Sequence, residues 1–316
     1  MDRKENEEVE GVMSAEQQAS FDAEQASSAR YAKYVLFVLI IVYIFNFIDR
    51  QILSILAEEI KADLGIGDAE IGFLYGTAFA IFYAVFGIPL GRLADMWNRK
   101  KLISMGLSFW SLMTAMSGFA QNFGSLAFCR FGVGVGEASA TPAAFSMLSD
   151  YFSPKVRASV LAIYSSGIYL GSGIGLFLGG AIVHTWHGWY PDPTLAPLGI
   201  KAWQAAFLAV GIPGILMAFW VWTLREPVKG ASEGILTPAH PAPFKAAGSS
   251  LMSVLPGLSI VSLYVAGGVR AVVVNLFVAV IIGLIFYGLY VLIPTLMQWI
   301  ELGIGVYITA TWIHYS

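Results

Sequence analysis

One cysteine, Cys129, occurs in 316 residues, so no disulfide can form within the chain and disulfide-stapled scaffolds are excluded. Charge is also scarce. Asp, Glu, Lys and Arg make up 12% of the chain, about half of the roughly 25% usual in a soluble domain. There is no basic tract, and the net charge is −3, which leaves no footprint for nucleic acid. No apolar run stands close behind Met1, so a cleavable secretory signal is not expected. A nucleophile paired with a base, or a cluster of metal ligands at one depth, is also missing; an enzyme is not expected. What the chain has in excess is apolar character: 57% hydrophobic residues and a mean hydropathy of +0.69. These values exclude a soluble core and predict an all-α, polytopic membrane protein.

A helix needs about 20 apolar residues to cross the hydrocarbon layer, and runs of that length recur after Tyr34. Apolar length and interrupting charge predict spans at Tyr34–Leu56, Ile71–Leu93, Lys101–Ala120, Gly124–Leu148, Arg157–His184 and Trp203–Leu224. A more polar, Pro-containing stretch follows over 225–250, then a clear span at Val269–Ile293 and a last segment from Leu296 to Ser316. The expected organisation is a disordered cytoplasmic tail over 1–32, a six-helix bundle over 33–224, a cytoplasmic linker over 225–250, and about two further membrane helices over 251–316. The tail is acidic and poor in aromatics, which fits disorder.

Basic residues set the orientation. Arg92, Arg99, Lys100 and Lys101 fall in the second loop, Lys155 and Arg157 in the fourth, and Arg225, Lys229 and Lys245 in the sixth. Loops rich in Lys and Arg stay inside, so the even loops and the N-terminus are expected in the cytoplasm of a cell with its chain in the inner membrane. Trp186, Trp189 and Tyr190 then form an outer aromatic belt. His184 and His187 have a spacing that could hold a metal, but no Cys or carboxylate adjoins them in sequence, and neither metal nor cofactor is expected.

Two glycine clusters, Gly132-x-Gly134-x-Gly136 and Gly171-x-Gly173-x-Gly175, follow no strand, so they are not dinucleotide-binding turns. Gly167, Gly171, Gly175 and Gly179 form a row at intervals of four, the pattern that lets membrane helices approach closely. It serves packing or sliding.

Four charges fall inside the expected spans: Asp49 and Arg50 in the first, Arg130 and Glu137 in the fourth. Intramembrane charge costs about 2.5–3.5 kcal/mol on insertion scales and is a functional candidate by default. Counting residues from the span ends places both arginines about 9 Å from the outer boundary and Glu137 about 10 Å deeper than Arg130, on the same helix face. A carboxyl near the midplane can load and release a proton, and a neighbouring guanidinium can control when. Glu137 and Asp49 are therefore the candidate proton-coupling residues. Arg50 and Arg130, with Asn46 and Tyr43 nearby, are the candidate contacts for an anionic or amphiphilic substrate. A static pairing of Asp49 with Arg130 that merely joins two helices is the plainer alternative.

The loop Gly91-Arg-Leu-Ala-Asp95-Met-Trp-Asn98-Arg99-Lys100-Lys101 resembles the signature loop of the major facilitator superfamily. Asn98 stands where that family usually has a second Gly, and Asn tolerates the left-handed turn that Gly would supply. The resemblance implies a gate built from Gly91, Asp95, Arg99 and Lys100, with Asp95 locking neighbouring helix ends. Asn46-x-x-Asp49-Arg50 and Arg130-x-x-x-Gly134-x-Gly136-Glu137-Ala138-Ser139 extend it to the Spinster branch over Tyr34–Leu224. That branch implies alternating-access export of lysolipids or sphingoid phosphates, either proton-linked or facilitative. A related branch of organic-acid symporters carries a similar Asp-Arg pair. The superfamily fold needs two six-helix bundles, and the residues after Ser250 show no second signature loop. A second bundle, in a longer chain or in trans, is therefore expected as a partner, and 251–316 is either an inserted helix pair or the start of that bundle. The remaining alternative is an inactive half-transporter.

Overall fold

The computed structural model describes residues 15–230, 232, 240–255, 258–293, 299, 302–307 and 309–310, and every regular element among them is helical. Among the described residues, five helical stretches are long and apolar enough to cross a membrane: Ser28–Ile55, Asp68–Met96, Pro154–Trp189, Ala202–Trp222 and Gly267–Leu292. The chain is a polytopic, all-α membrane protein.

The first span belongs to α1, Ala15–Ile55, and is followed by the short α2, Ala57–Leu64, which ends at Gly65 in a left-handed turn with φ 65°. Residues 15–32, expected to be disordered, are helical. They contain no Gly or Pro and are rich in Ala, Glu and Gln, so helix propensity prevails over low hydrophobicity. The rest of the expected tail, 1–14, lies outside the described residues, as do 231 and 233–239 of the linker and 294–298, 300–301, 308 and 311–316 of the final segment.

The second span is built from α3, Asp68–Gly72, a π-helical turn at Phe73–Thr77, and α4, Ala78–Met96. The third is α5, Arg99–Ser117, whose first turn is capped by the Asn98 side chain accepting from the Lys101 amide at 3.0 Å. Asn98 thus serves as an N-cap with φ −74°, not as the left-handed turn residue expected from Gly replacement. An extended Ncap with a side-chain acceptor is where Asn is most favoured.

The fourth span, expected to be continuous, is two helices, α6 at Phe123–Glu137 and α7 at Ala140–Tyr151. Pro142 accounts for the break, because it cannot donate to the Ala138 carbonyl and its ring crowds that group. The fifth is likewise two pieces, α8 at Pro154–Ser165 and α9 at Gly167–Trp189, and the sixth is α10, Ala202–Trp222. Helix α11, Pro243–Val254, crosses the boundary expected at residue 250 and packs on α4. Helix α12, Leu258–Leu292, bends at Gly268, φ 64°.

The glycines explain how closely the helices pack. A Cβ at Gly171 would lie 2.6 Å from the Ile44 carbonyl oxygen, and one at Gly175 would lie 3.1 Å from Ile48 Cα. The row on α9 is therefore the face against α1. Similarly, a Cβ at Gly134 would meet the Phe79 carbonyl oxygen at 2.7 Å and one at Gly136 would meet Trp110 Cβ at 2.7 Å. That cluster lets α6 touch α4 and α5 at once, as packing in membranes demands.

Two apolar clusters form the interior. One gathers Val35, Leu39, Leu107, Trp110, Met147 and their neighbours; the other gathers Ile52, Leu53, Leu126, Trp203 and Phe207. The charged residues of α1 and α6 lie at the junction of the two.

Candidate functional site: a buried charge layer and a charged clamp

At the junction, Arg50 Nε donates to Glu137 Oε2 at 2.8 Å, joining α1 to the last residue of α6. The Glu137 side chain is 0% exposed and that of Arg50 is 26% exposed, so the pair is open from the arginine side. Residue counting placed the two at different depths, but the long arginine stem bridges the difference. The guanidinium also lies over three rings, Phe47 at 4.9 Å, Phe79 at 4.5 Å and Tyr83 at 4.9 Å. Such contacts hold the cation through the ring quadrupoles.

Beside this pair, Asp49 and Arg130 are each 1% exposed. Arg130 Nη1 donates to the backbone carbonyl of Asp49 at 3.5 Å; the bond is to the main chain, in place of the side-chain pairing considered above. Trp110 and Thr114 of α5 flank the Asp49 carboxyl, and Asn46 flanks that of Glu137. Asn46, Trp110 and Thr114 thus set polar atoms against the two buried carboxyls inside an otherwise apolar interior, where a polar group is costly unless it is paired. Tyr43 stacks on Tyr164 at 4.5 Å and meets Phe47 edge-on at 5.2 Å.

The structure thus brings Asn46, Asp49, Arg50, Arg130 and Glu137 into one layer, with Tyr43 at its edge. Sequence reading missed Phe79, Tyr83, Trp110, Thr114 and Tyr164. Phe79 and Tyr83 are spaced four apart on one face of α4, a signal visible only once their helix is known to face α1.

At the other end of the bundle, Arg99 is 1% exposed and saturated with acceptors. Its Nε donates to Glu226 Oε1 at 2.8 Å, Nη1 donates to Asp150 and to the Ser146 carbonyl at 3.1 Å, and Nη2 donates to the Pro227 carbonyl at 2.9 Å. The Lys100 amide donates to Glu226 Oε2 at 2.9 Å, while Lys100 Nζ reaches the Leu224 carbonyl at 2.6 Å. Asp95, assigned above to the lock, is exposed, and it is the carbonyls of Ala94 and Asp95 that accept from Lys229 Nζ, at 3.0 and 2.5 Å. Burial, and then the Arg99 charge, pull the Lys229 ammonium below the usual lysine range. Gly91 is half-buried and faces Pro142 of α7 at an ordinary contact distance of 3.8 Å for an added Cβ. The carboxylates that hold Arg99 are Asp150 and Glu226, which lie far from the signature loop in sequence. On the opposite side of the bundle, His187 Nε2 lies 2.9 Å from Glu59 Oε1, so the histidine considered for metal has a carboxylate partner.

Similarity to known proteins agrees with this architecture. The chain is 35% identical over 56% of its length to an MFS-type efflux pump of Mycolicibacterium smegmatis, of which it covers 38%. It is 30% identical over 61% of its length to the protein spinster of Drosophila melanogaster, of which it covers 29%. A crystal structure of a bacterial homologue of the human lysosomal transporter Spinster, inward-facing and occupied, superimposes with a TM-score of 0.59 at 27% identity, covering 90% of this chain and 73% of that one. The chain therefore spans little more than a third, at most, of these two curated relatives. Residues 39–314 match the Major Facilitator Superfamily, and the chain belongs to that family.

Proposed function

We propose that this chain is the N-terminal part of a secondary active transporter, working by alternating access and coupled to protons, that moves an amphiphilic or lipid-like anion such as a lysolipid. The observation that carries the reading is the Arg50–Glu137 pair, fully buried on the acid side and partly open on the guanidinium side. In this reading an anionic head group competes with Glu137 for Arg50, and protonation of Glu137 releases the cation. Asp49 and Arg130 form the second member of the exchange, with Asn46 and Tyr43 lining the approach. Gly91, Arg99 and Lys100 form the gate at the far end, with Asp95 beside it. The transport cycle requires a second six-helix bundle, in the full-length chain or in trans, and the lipid bilayer is its medium. The direction that follows from the basic loops is an inner-membrane protein with a cytoplasmic N-terminus.

A second reading, symport of an organic-acid anion, is supported by 28% identity over 58% of the chain to a probable L-galactonate transporter of Escherichia coli K12, of which the chain covers 37%. Both readings use Arg50 as the anion contact. Proteoliposomes carrying the full-length protein and an internal pH dye distinguish them: lysophosphatidylglycerol or galactonate is added and proton movement recorded. The first reading expects a response to the lysolipid alone, lost in Glu137→Gln. A response to galactonate alone selects the second, and an unchanged response in Glu137→Gln removes the proton role from that residue.

A further inference from the structure

The loop 190–201 joins α9 to α10, whose membrane-crossing stretches end at Trp189 and begin at Ala202. It is folded by its own bonds. The Asp192 carboxylate accepts from the Thr194 amide at 2.9 Å and hydroxyl at 2.8 Å, and the Leu195 amide donates to the Asp192 carbonyl at 3.1 Å. The Gly199 amide donates to the Ala196 carbonyl at 3.0 Å, and the Trp186 indole donates to the Ile200 carbonyl at 3.1 Å. Ala196 faces inward at 5% exposure, whereas Leu195 is 73% and Leu198 is 91% exposed, next to Trp189 at 70%.

Leu198 is also the one described non-glycine residue with positive φ, at 57°. That conformation is strained for a residue with a Cβ. At a tip facing water, both the backbone and the exposure favour Gly or Asn. A bulky apolar side chain held outward in spite of that cost, at the level where two membrane helices end, needs an apolar medium. We infer that Leu195 and Leu198, with Trp189 at their base, insert into the leaflet on the side of the membrane opposite the Arg99 cluster. The loop is a foot that lies in the lipid interface and fixes the height of α9 and α10. Asp192 and Thr194 form the polar side of the same foot, turned to the head groups.

Spin labelling of the full-length protein in phosphatidylcholine nanodiscs tests this. In a Cys129→Ala background, labels at Leu198→Cys and Leu195→Cys are compared with Phe177→Cys, in the middle of α9 at 74% exposure, and with Glu58→Cys, whose side chain is 85% exposed. Collision with oxygen reports lipid, and collision with a water-soluble nickel chelate reports water. The expected result is an oxygen-to-chelate ratio at both loop sites several-fold above that of Glu58→Cys and below that of Phe177→Cys, as an interfacial depth requires. A ratio equal to that of Glu58→Cys overturns the inference in favour of a water-facing loop. Low collision with both reagents overturns it in favour of cover by protein.

Discussion

At the scale of single residues, Arg99 shows how a buried cation is tolerated: every face of its guanidinium is met by an acceptor, two of them carboxylates. Removing one partner of such a group is far worse than never having had the pair. Arg99→Ala leaves Asp150 and Glu226 without their cation and is expected to cost about 3 kcal/mol, read as a lowered unfolding temperature in detergent. Arg99→Lys recovers only part of this, since a point charge cannot serve acceptors around a planar fork. Asp192 makes a pH-dependent contribution of known sign. Donation from Thr194 holds its carboxyl below the ordinary aspartate range. Its contribution to loop order is present above the unfolded value of about 3.9 and is lost as pH falls through the folded one. Amide exchange in 192–195, corrected for intrinsic rates, should be unchanged from about pH 7 to about pH 5 and rise below about pH 4; Asp192→Asn should remove that step. Single residues were also where sequence reading was most uneven. The four intramembrane charges could be found because charge in an apolar run is conspicuous. Asp150 and Glu226 could not, because nothing in the signature loop points to carboxylates on α7 and beyond α10.

Among the elements, α9 against α1 is the contact most open to a designed test. Gly171 and Gly173 are two residues apart on the same helix, yet a Cβ on the first would strike the Ile44 carbonyl oxygen at 2.6 Å while one on the second meets nothing within 4 Å. Gly171→Ala should therefore destabilise by about 1–3 kcal/mol through overpacking. Gly173→Ala should be neutral or stabilise by up to about 1 kcal/mol through helix propensity. Thermal unfolding of the pair in one detergent checks both, and equal effects would show that α9 does not sit on α1 by this face. The glycine row was legible in the sequence because its four-residue period belongs to one helix face. The break after Glu137 was not read, although Pro142 was in plain view. A proline that ends one apolar helix and begins another leaves hydropathy unchanged, so span counting passes over it.

For the molecule as a whole, residues 225–230 and Ser232 act as a strap across one end of the bundle. Glu226 holds α5, Gly230 N–H donates to Asp150 of α7 at 2.9 Å, Ser232 Oγ donates to the Ser149 carbonyl at 2.8 Å, and Lys229 caps the C-terminal carbonyls of α4. A cation at a helix C-terminus is worth about 0.3–1 kcal/mol, so Lys229→Ala should lower stability by that amount and raise proteolysis between α10 and α11. An unchanged proteolytic rate would mean that Glu226, Gly230 and Ser232 hold the strap without Lys229. The all-helical, polytopic architecture was legible because it is a coarse pattern of hydropathy. The strap was not, since it is a polar stretch whose order comes from partners elsewhere. The polar layer of Asp49, Arg50, Arg130 and Glu137 gives the bundle one further property, because α1 contributes Val35, Leu39 and Tyr43 to one apolar cluster and Ile48, Ile52 and Leu53 to the other and so carries unbroken backbone across the layer. Drawn out of a membrane by its end, the bundle should part between helices and not across that layer, as a rope frays along its strands.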